Sequence, residues 1–154
     1  MPLLVLIRHA KAEEHRADDR SRVLAPRGVA DCARVREWLL ARQISPDRVL
    51  VSTSARTRQT WELAGVGDVE PLLSERVYDA SLADLVELVQ QSPAEVGTLV
   101  VVGHDPGLTQ LAWTLDDRPE ARQWTDRGMA TAAVAVLEVR AWSDLAGARL
   151  VDHT

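Results

Sequence analysis

Residues 98–107 read Thr-Leu-Val-Val-Val-Gly-His-Asp-Pro-Gly, and they set the fold class. The apolar run 99–102 is too short for a helix core and describes a strand buried on both faces. It passes through Gly103, which permits a tight turn, into a helical stretch over about residues 108–115. Pro106 suits the start of that helix, so the segment reads as one strand–turn–helix unit.

The same unit recurs upstream. Leu3-Leu4-Val5-Leu6-Ile7 is a second buried strand, ending at Arg8-His9. Val49-Leu50-Val51 is a third, followed by Ser52-Thr53-Ser54 and a helix over about residues 55–64 that Gly65 stops. Helical stripes cover residues 26–42, through Val29, Cys32, Val35, Trp38 and Leu39, and residues 81–91, through Leu82, Leu85, Val86 and Val89. Residues 69–73 predict a short or edge strand, because Pro71 interrupts them, and 131–139 and 148–151 predict two more. Strands alternating with helices imply an α/β three-layer sandwich with a mostly parallel central sheet. At 154 residues the chain is expected to form one domain, 1–154, on a prior of ~100–200 residues per domain. Chemistry in such sheets collects beyond the carboxyl ends of the strands. Three segments stand there: Arg8-His9, residues 52–58 and Gly103-His104.

Composition narrows the function. A hydrophobic fraction of 46% excludes disorder for the bulk of the chain. The single cysteine, Cys32, excludes a disulfide framework and a cysteine-built zinc site. No apolar run approaches the ~20 residues of a membrane span, and the first residues lack a basic segment with a cleavage site, so a cytoplasmic protein without membrane partners is expected. The net charge of −5 argues against a nucleic-acid binder. It is unevenly spread: residues 1–60 hold 12 basic and 7 acidic side chains, whereas 61–154 hold 6 and 16. Lys11 is the only lysine, so the basic excess is arginine, whose planar fork suits phosphate and carboxylate oxygens.

Taken singly, each candidate residue has an ordinary structural explanation. A strand-end histidine such as His9 can be a surface residue, and Gly103 to Gly107 can be a plain strand-to-helix turn. Arg56 and Arg58 can be solvated. Yet two arginines at a helix start oppose the helix dipole, which makes sense if an anion binds there. Arg8 beside His9 is expected to lower the histidine pKa and keep the ring neutral. His15 and His153 have no motif partners and are expected at the surface. Arg16, Arg20 and Arg22 lie in a loop that follows His9. Trp38, Trp61 and Trp113 fall on helices and are expected in the core.

Together the motifs resemble the histidine phosphatase superfamily, the phosphoglycerate mutase-like proteins. Leu6-Ile7-Arg8-His9-Ala10 is similar to the family's Arg-His-Gly strand end, with Ala10 in place of glycine. Residues 51–60, Val-Ser-Thr-Ser-Ala-Arg-Thr-Arg-Gln-Thr, resemble its serine-rich stretch and following arginine motif. Residues 73–78 resemble the segment carrying its acidic residue, and Val102-Gly103-His104-Asp105-Pro106 its second histidine. Arg8-His9-Ala10-Lys11-Ala12 and residues 19–28 are most similar to the small SixA-type phosphohistidine phosphatases. Ala25 replaces a helix-capping threonine, a loss of about 1 kcal/mol at that helix start.

The resemblance implies that His9 is the nucleophile, that Arg8, His9, Arg56 and His104 bind the phosphoryl group, and that no cofactor is needed. It implies Glu75 as catalytic proton donor, with Asp105 as the alternative. Only 25 residues separate Tyr78 from His104, too few for the helical lid insertion of the mutases. An open site and a weak acid favour a phosphorylated protein histidine as substrate. The alternatives are a small-molecule phosphomonoester phosphatase on the same scaffold and an inactive phospho-ligand binding module. The oligomeric state is left open.

Overall fold

The computed structural model describes residues 1–14 and 18–154. The expectations for His15 and Arg16 therefore lie outside the described residues. Among the described residues six strands form one sheet: β1 (Leu3–Arg8), β2 (Arg48–Ser52), β3 (Leu72–Ser74), β4 (Thr98–Gly103), β5 (Val134–Glu138) and β6 (Arg149–His153), in the order β3-β2-β4-β1-β5-β6. The pairs β3–β2, β2–β4 and β4–β1 are parallel, and β5 and β6 add antiparallel. The expected three-layer sandwich with a mostly parallel sheet is observed.

Successive strand residues point to opposite faces, and here both faces are covered. Leu4, Leu6, Leu99 and Val101 meet α3 (Leu82–Gln90) and α4 (Gly107–Leu115) through Leu85, Val89, Leu108 and Leu111. Val5, Ile7, Val100 and Val102 meet α1 (Pro26–Ala41) and α2 (Ala55–Ala64) through Cys32, Val35, Leu39 and Trp61. This double burial explains why β1 and β4 read as continuous apolar runs. Between the 3-10 turn Glu75–Val77 and β4 the only helix is α3, so no lid insertion is present.

Local chemistry sets the boundaries. Ala25 precedes α1 without a side-chain cap, as expected, and Pro26 opens that helix. Gly28 is required because a Cβ there would collide with the Lys11 carbonyl oxygen. Gly103 serves close packing rather than a turn: it ends β4, and a Cβ would lie 3.1 Å from Val77 Cγ1. The third strand starts at Leu72 rather than at residue 69, because Pro71 cannot donate to the ladder.

One helix goes unannounced by the sequence, and one expectation fails. The short helix α5 (Pro119–Thr125) has no apolar stripe to announce it, and it buries only Ala121 and Thr125. Its proline at the first turn and Glu120 behind it were the available signal. Trp113 is not a core residue. It lies off the 108, 111, 112 stripe of α4, with the Arg122 guanidinium 3.4 Å from its ring and its N–H donating to Asp126 at 2.9 Å. Among the described residues no helix is long and apolar enough to cross a membrane.

Candidate active site

The parallel order β2-β4-β1 sets three carboxyl ends side by side, and each delivers one candidate segment. His9 follows β1 and is held by its backbone on both sides. Its N–H donates to the Gly103 carbonyl at 3.0 Å, and its carbonyl accepts from Ala132 N–H at 3.1 Å. Its ring Nδ1 is 2.8 Å from the Ala10 carbonyl oxygen. A carbonyl only accepts, so Nδ1 carries the proton and Nε2 keeps the lone pair.

His104, after β4, has the opposite tautomer. Arg56 Nη2 lies 3.3 Å from its Nδ1, and a guanidinium only donates, so Nδ1 accepts. Nε2–H then donates to Ser52 Oγ at 2.8 Å. The two imidazole rings are 5.3 Å apart between centroids, and the Tyr78 ring meets His104 edge-on at 5.5 Å. Burial pushes His9 down to about 4, opposed by the Ala10 hydrogen bond and aided by the charges of Arg56, Arg8 and Arg22. Burial pushes His104 down to about 3, with Arg56 and His9 adding to it. Both rings are therefore neutral at pH 7. The expected neutral His9 is found, but burial outweighs any arginine, and Arg56 acts more strongly than Arg8.

Arg56 projects from the first turn of α2 and is 6% exposed. Ser54 caps that helix, its side chain accepting from Thr57 N–H. Thr60, one turn on, accepts from Ala10 N–H at 3.0 Å and donates to the Arg56 carbonyl at 2.7 Å. It thereby ties the loop after His9 to the helix carrying Arg56. Arg8 donates from Nη1 to the Met129 carbonyl at 2.7 Å. The Nε atoms of Arg8 and Arg56 are buried donors with no partner among the described residues. A buried unmet donor costs about 1–3 kcal/mol, so the pocket floor retains unused capacity for an anion.

One carboxylate engages the other end of the Arg56 guanidinium and leaves its Nε free. Asp19 Oδ2 accepts from Arg56 Nη2 at 3.1 Å and from the Tyr78 hydroxyl, and its Oδ1 accepts from Arg22 at 3.1 Å. These donors, the Tyr78 hydroxyl foremost, hold its carboxyl far below the usual carboxylate range.

The acidic candidates stand apart from the histidines. Glu75 is 63% exposed in its side chain and accepts from Arg20 Nη1 at 2.7 Å. Arg20 also donates to Thr53 at 3.0 Å and lies over the Tyr78 ring at 4.2 Å. This pairing holds the Glu75 carboxyl below its ordinary value, the opposite of what a proton donor at pH 7 requires. Asp105 is engaged by Thr109, accepting from its N–H at 3.0 Å and its hydroxyl at 2.7 Å. Arg58 does not join the cluster; it lines a groove of about 520 Å³ beside Trp61 and Leu73.

Sequence reading brings together Arg8, His9, Arg56 and His104, and the structure places them in one cluster. It did not single out Ser52, Asp19 or Tyr78 as contacts of that cluster. Ser52 had a usable signal as the last residue of a buried strand; the other two depend on loop closure. Among the described residues no group of three or more His, Cys, Asp or Glu side chains forms a metal-ligand cluster.

No protein-family model matches the chain. An uncharacterized protein of Mycobacterium tuberculosis strain H37Rv is 35% identical over 146 residues, covering 90% of this chain and 91% of its own. The structure of a candidate phosphohistidine phosphatase SixA from Nakamurella multipartitia is 32% identical, with a TM-score of 0.88 over 99% of this chain and 95% of that one. The corresponding SixA structure from Agrobacterium tumefaciens is 25% identical, with a TM-score of 0.87 over 99% and 97%. With the fold shared almost end to end at that identity, and the paired histidines at the expected strand ends, the chain belongs to the histidine phosphatase, or phosphoglycerate mutase-like, superfamily on its SixA-type branch, and it is a phosphatase of that superfamily.

Proposed function

We propose that the chain removes phosphoryl groups from histidine side chains of a phosphorylated protein. The observation that carries the reading is the pair of oppositely protonated histidines. His9 presents a bare Nε2, while Arg56 stands beside it as a donor to His104, whose own N–H is given to Ser52.

In this reading His9 Nε2 attacks phosphorus, forming an N–P bond as the substrate N–P bond breaks. The departing imidazole takes a proton from solvent, and water then attacks the phosphohistidine of the enzyme to release phosphate and free His9. Splitting the reaction in two lowers each barrier. Arg8, Arg56 and His104 bind the phosphoryl oxygens, and fixed donors there stabilise charge as it develops. Binding a dianion also restores part of the pKa that burial removes from His104, so that ring can donate in the complex.

The acid position supports phosphohistidine over phosphomonoesters. An alkoxide leaves only with a proton, and neither Glu75 nor Asp105 is held as a ready donor. An imidazole is a far better leaving group. The absence of a lid insertion fits a substrate that is itself a folded protein. The test compares kcat/KM for a histidine-phosphorylated carrier protein with a panel of phosphomonoesters. The carrier is expected to lead by at least about tenfold; a phosphomonoester leading by that margin overturns the assignment.

A further inference from the structure

A cavity of about 360 Å³ lies against His104, on the side away from Arg56's helix. Its walls are the loop Asp79, Ala80 and Ser81 and the start of α4 from Asp105 to Gly107, with Gln110 beyond. Leu85 and Leu108 close its base. We propose that this cavity receives the leaving group, and that it selects neutral or cationic leaving groups against anionic ones. The proposal rests on the reading that the phosphoryl group is held between His9 and His104.

Three observations carry it. His104 is a wall of the cavity and also borders His9, so whatever is attached to a phosphoryl group at the two rings has this space beside it. The lining contains no arginine or lysine; its charged residues are Asp79 and Asp105. Asp79 carries no hydrogen bond or ion pair among the described residues, and its backbone is held at φ 51°. Both helices that begin at the cavity have their amino ends already answered by their own carboxylates. Asp105 accepts from Thr109 N–H on α4, and Asp84 accepts from Ser81 N–H on α3. The positive helix ends, which would otherwise attract an anion, are neutralised from within.

The phosphoryl floor is cationic and the adjoining cavity anionic. A substrate matching both carries its negative charge on the phosphoryl group alone. A histidine flanked by lysine or arginine has that pattern, whereas phosphorylated hydroxy acids place a carboxylate in the cavity. Like charges so placed oppose binding and act as a filter.

The experiment measures kcat/KM for para-nitrophenyl phosphate and its ring-carboxylated analogue. It adds two histidine-phosphorylated peptides that differ only in lysine or glutamate beside the modified residue. The wild-type chain is expected to favour the neutral aryl ester, and the lysine peptide, by about tenfold. Asp79→Lys is expected to erase or reverse both ratios. Gln110→Lys introduces the charge from the opposite wall and gives the same change if Asp79→Lys does not fold. Glu95→Lys, at the far end of the sheet before β4, controls for net charge and leaves the ratios intact. Equal rates within both pairs, or ratios that survive both lysine variants, overturn the subsite. If the peptides are not hydrolysed while the aryl ratio holds and collapses in Asp79→Lys, the subsite stands and the phosphohistidine reading falls.

Discussion

His9, just beyond β1, and Arg56, in the first turn of the helix after β2, have 9% and 6% of their surface exposed, whereas Glu75, just beyond β3, and Arg20, in the loop between β1 and α1, keep 63% and 43% of their side chains in water. The inner group is fixed by backbone bonds to neighbouring strands and by a neutral, desolvated pair of rings. The outer side chains hold one another across loops, with Arg20 donating to Glu75 and to Thr53. Exposed pairs of this kind contribute little to stability, while charges in a desolvated site act at full strength. Floor and rim should therefore respond to mutation on different scales.

The largest effect is expected at the floor. His9→Ala should lower kcat by at least about 10⁴-fold and abolish the acid-labile phosphoenzyme in rapid-quench trapping. Trapping that persists would place the nucleophile elsewhere. Arg56→Ala should follow with a loss of about 10²–10³ in kcat. Arg56→Lys should recover little of it, because a point charge does not replace the fork that reaches both Asp19 and His104. Next comes Ser52→Ala, which removes the partner of His104 Nε2; about tenfold in kcat with little change in KM marks a positioning role.

The rim supplies the contrast. Glu75→Gln should change kcat/KM on a phosphohistidine substrate by less than about threefold, where a true general acid contributes about 10²–10⁴. A larger loss would move Glu75 from the rim into the chemistry.

The smallest effect is in the pH profile. If His9 kept an ordinary pKa of about 6.5, going from pH 7 to 5 would remove about 25-fold of its neutral form. Held near 4, it loses little over that range, so kcat/KM corrected for spontaneous hydrolysis stays nearly flat. Stability moves in the opposite sense. Between pH 6.5 and about 4 the unfolded chain takes up protons on these histidines while the folded chain does not, so acid favours unfolding. The urea midpoint should fall as pH drops through that window, and less steeply in His104→Gln.

The same contrast explains what could be read from the chain. His9, Arg56 and His104 follow apolar runs whose burial fixes where they end, so their meeting place follows from strand direction alone. Asp19 reaches Arg56 across 37 residues and Tyr78 across 59, and no local pattern announces such contacts. Glu75 shows the cost of local reading. Its surroundings match an acid position, but its carboxylate is claimed by Arg20, a residue in a different loop. Trp113 and α5 were misread or missed for a related reason: a stacked arginine and a proline-led turn carry no hydrophobic period.

Cys32 gives the layer beneath the floor a practical use. The thiol is fully buried under α1, in the cluster that also holds Ile7 and Val102, and burial pushes it up to about 11. A thiol so placed reacts with alkylating reagents only when the helix lifts from the sheet. As the one cysteine in the chain, it is a built-in clock: its labelling rate reports how often the wall behind the nucleophile opens, and whether occupying the pocket keeps it shut.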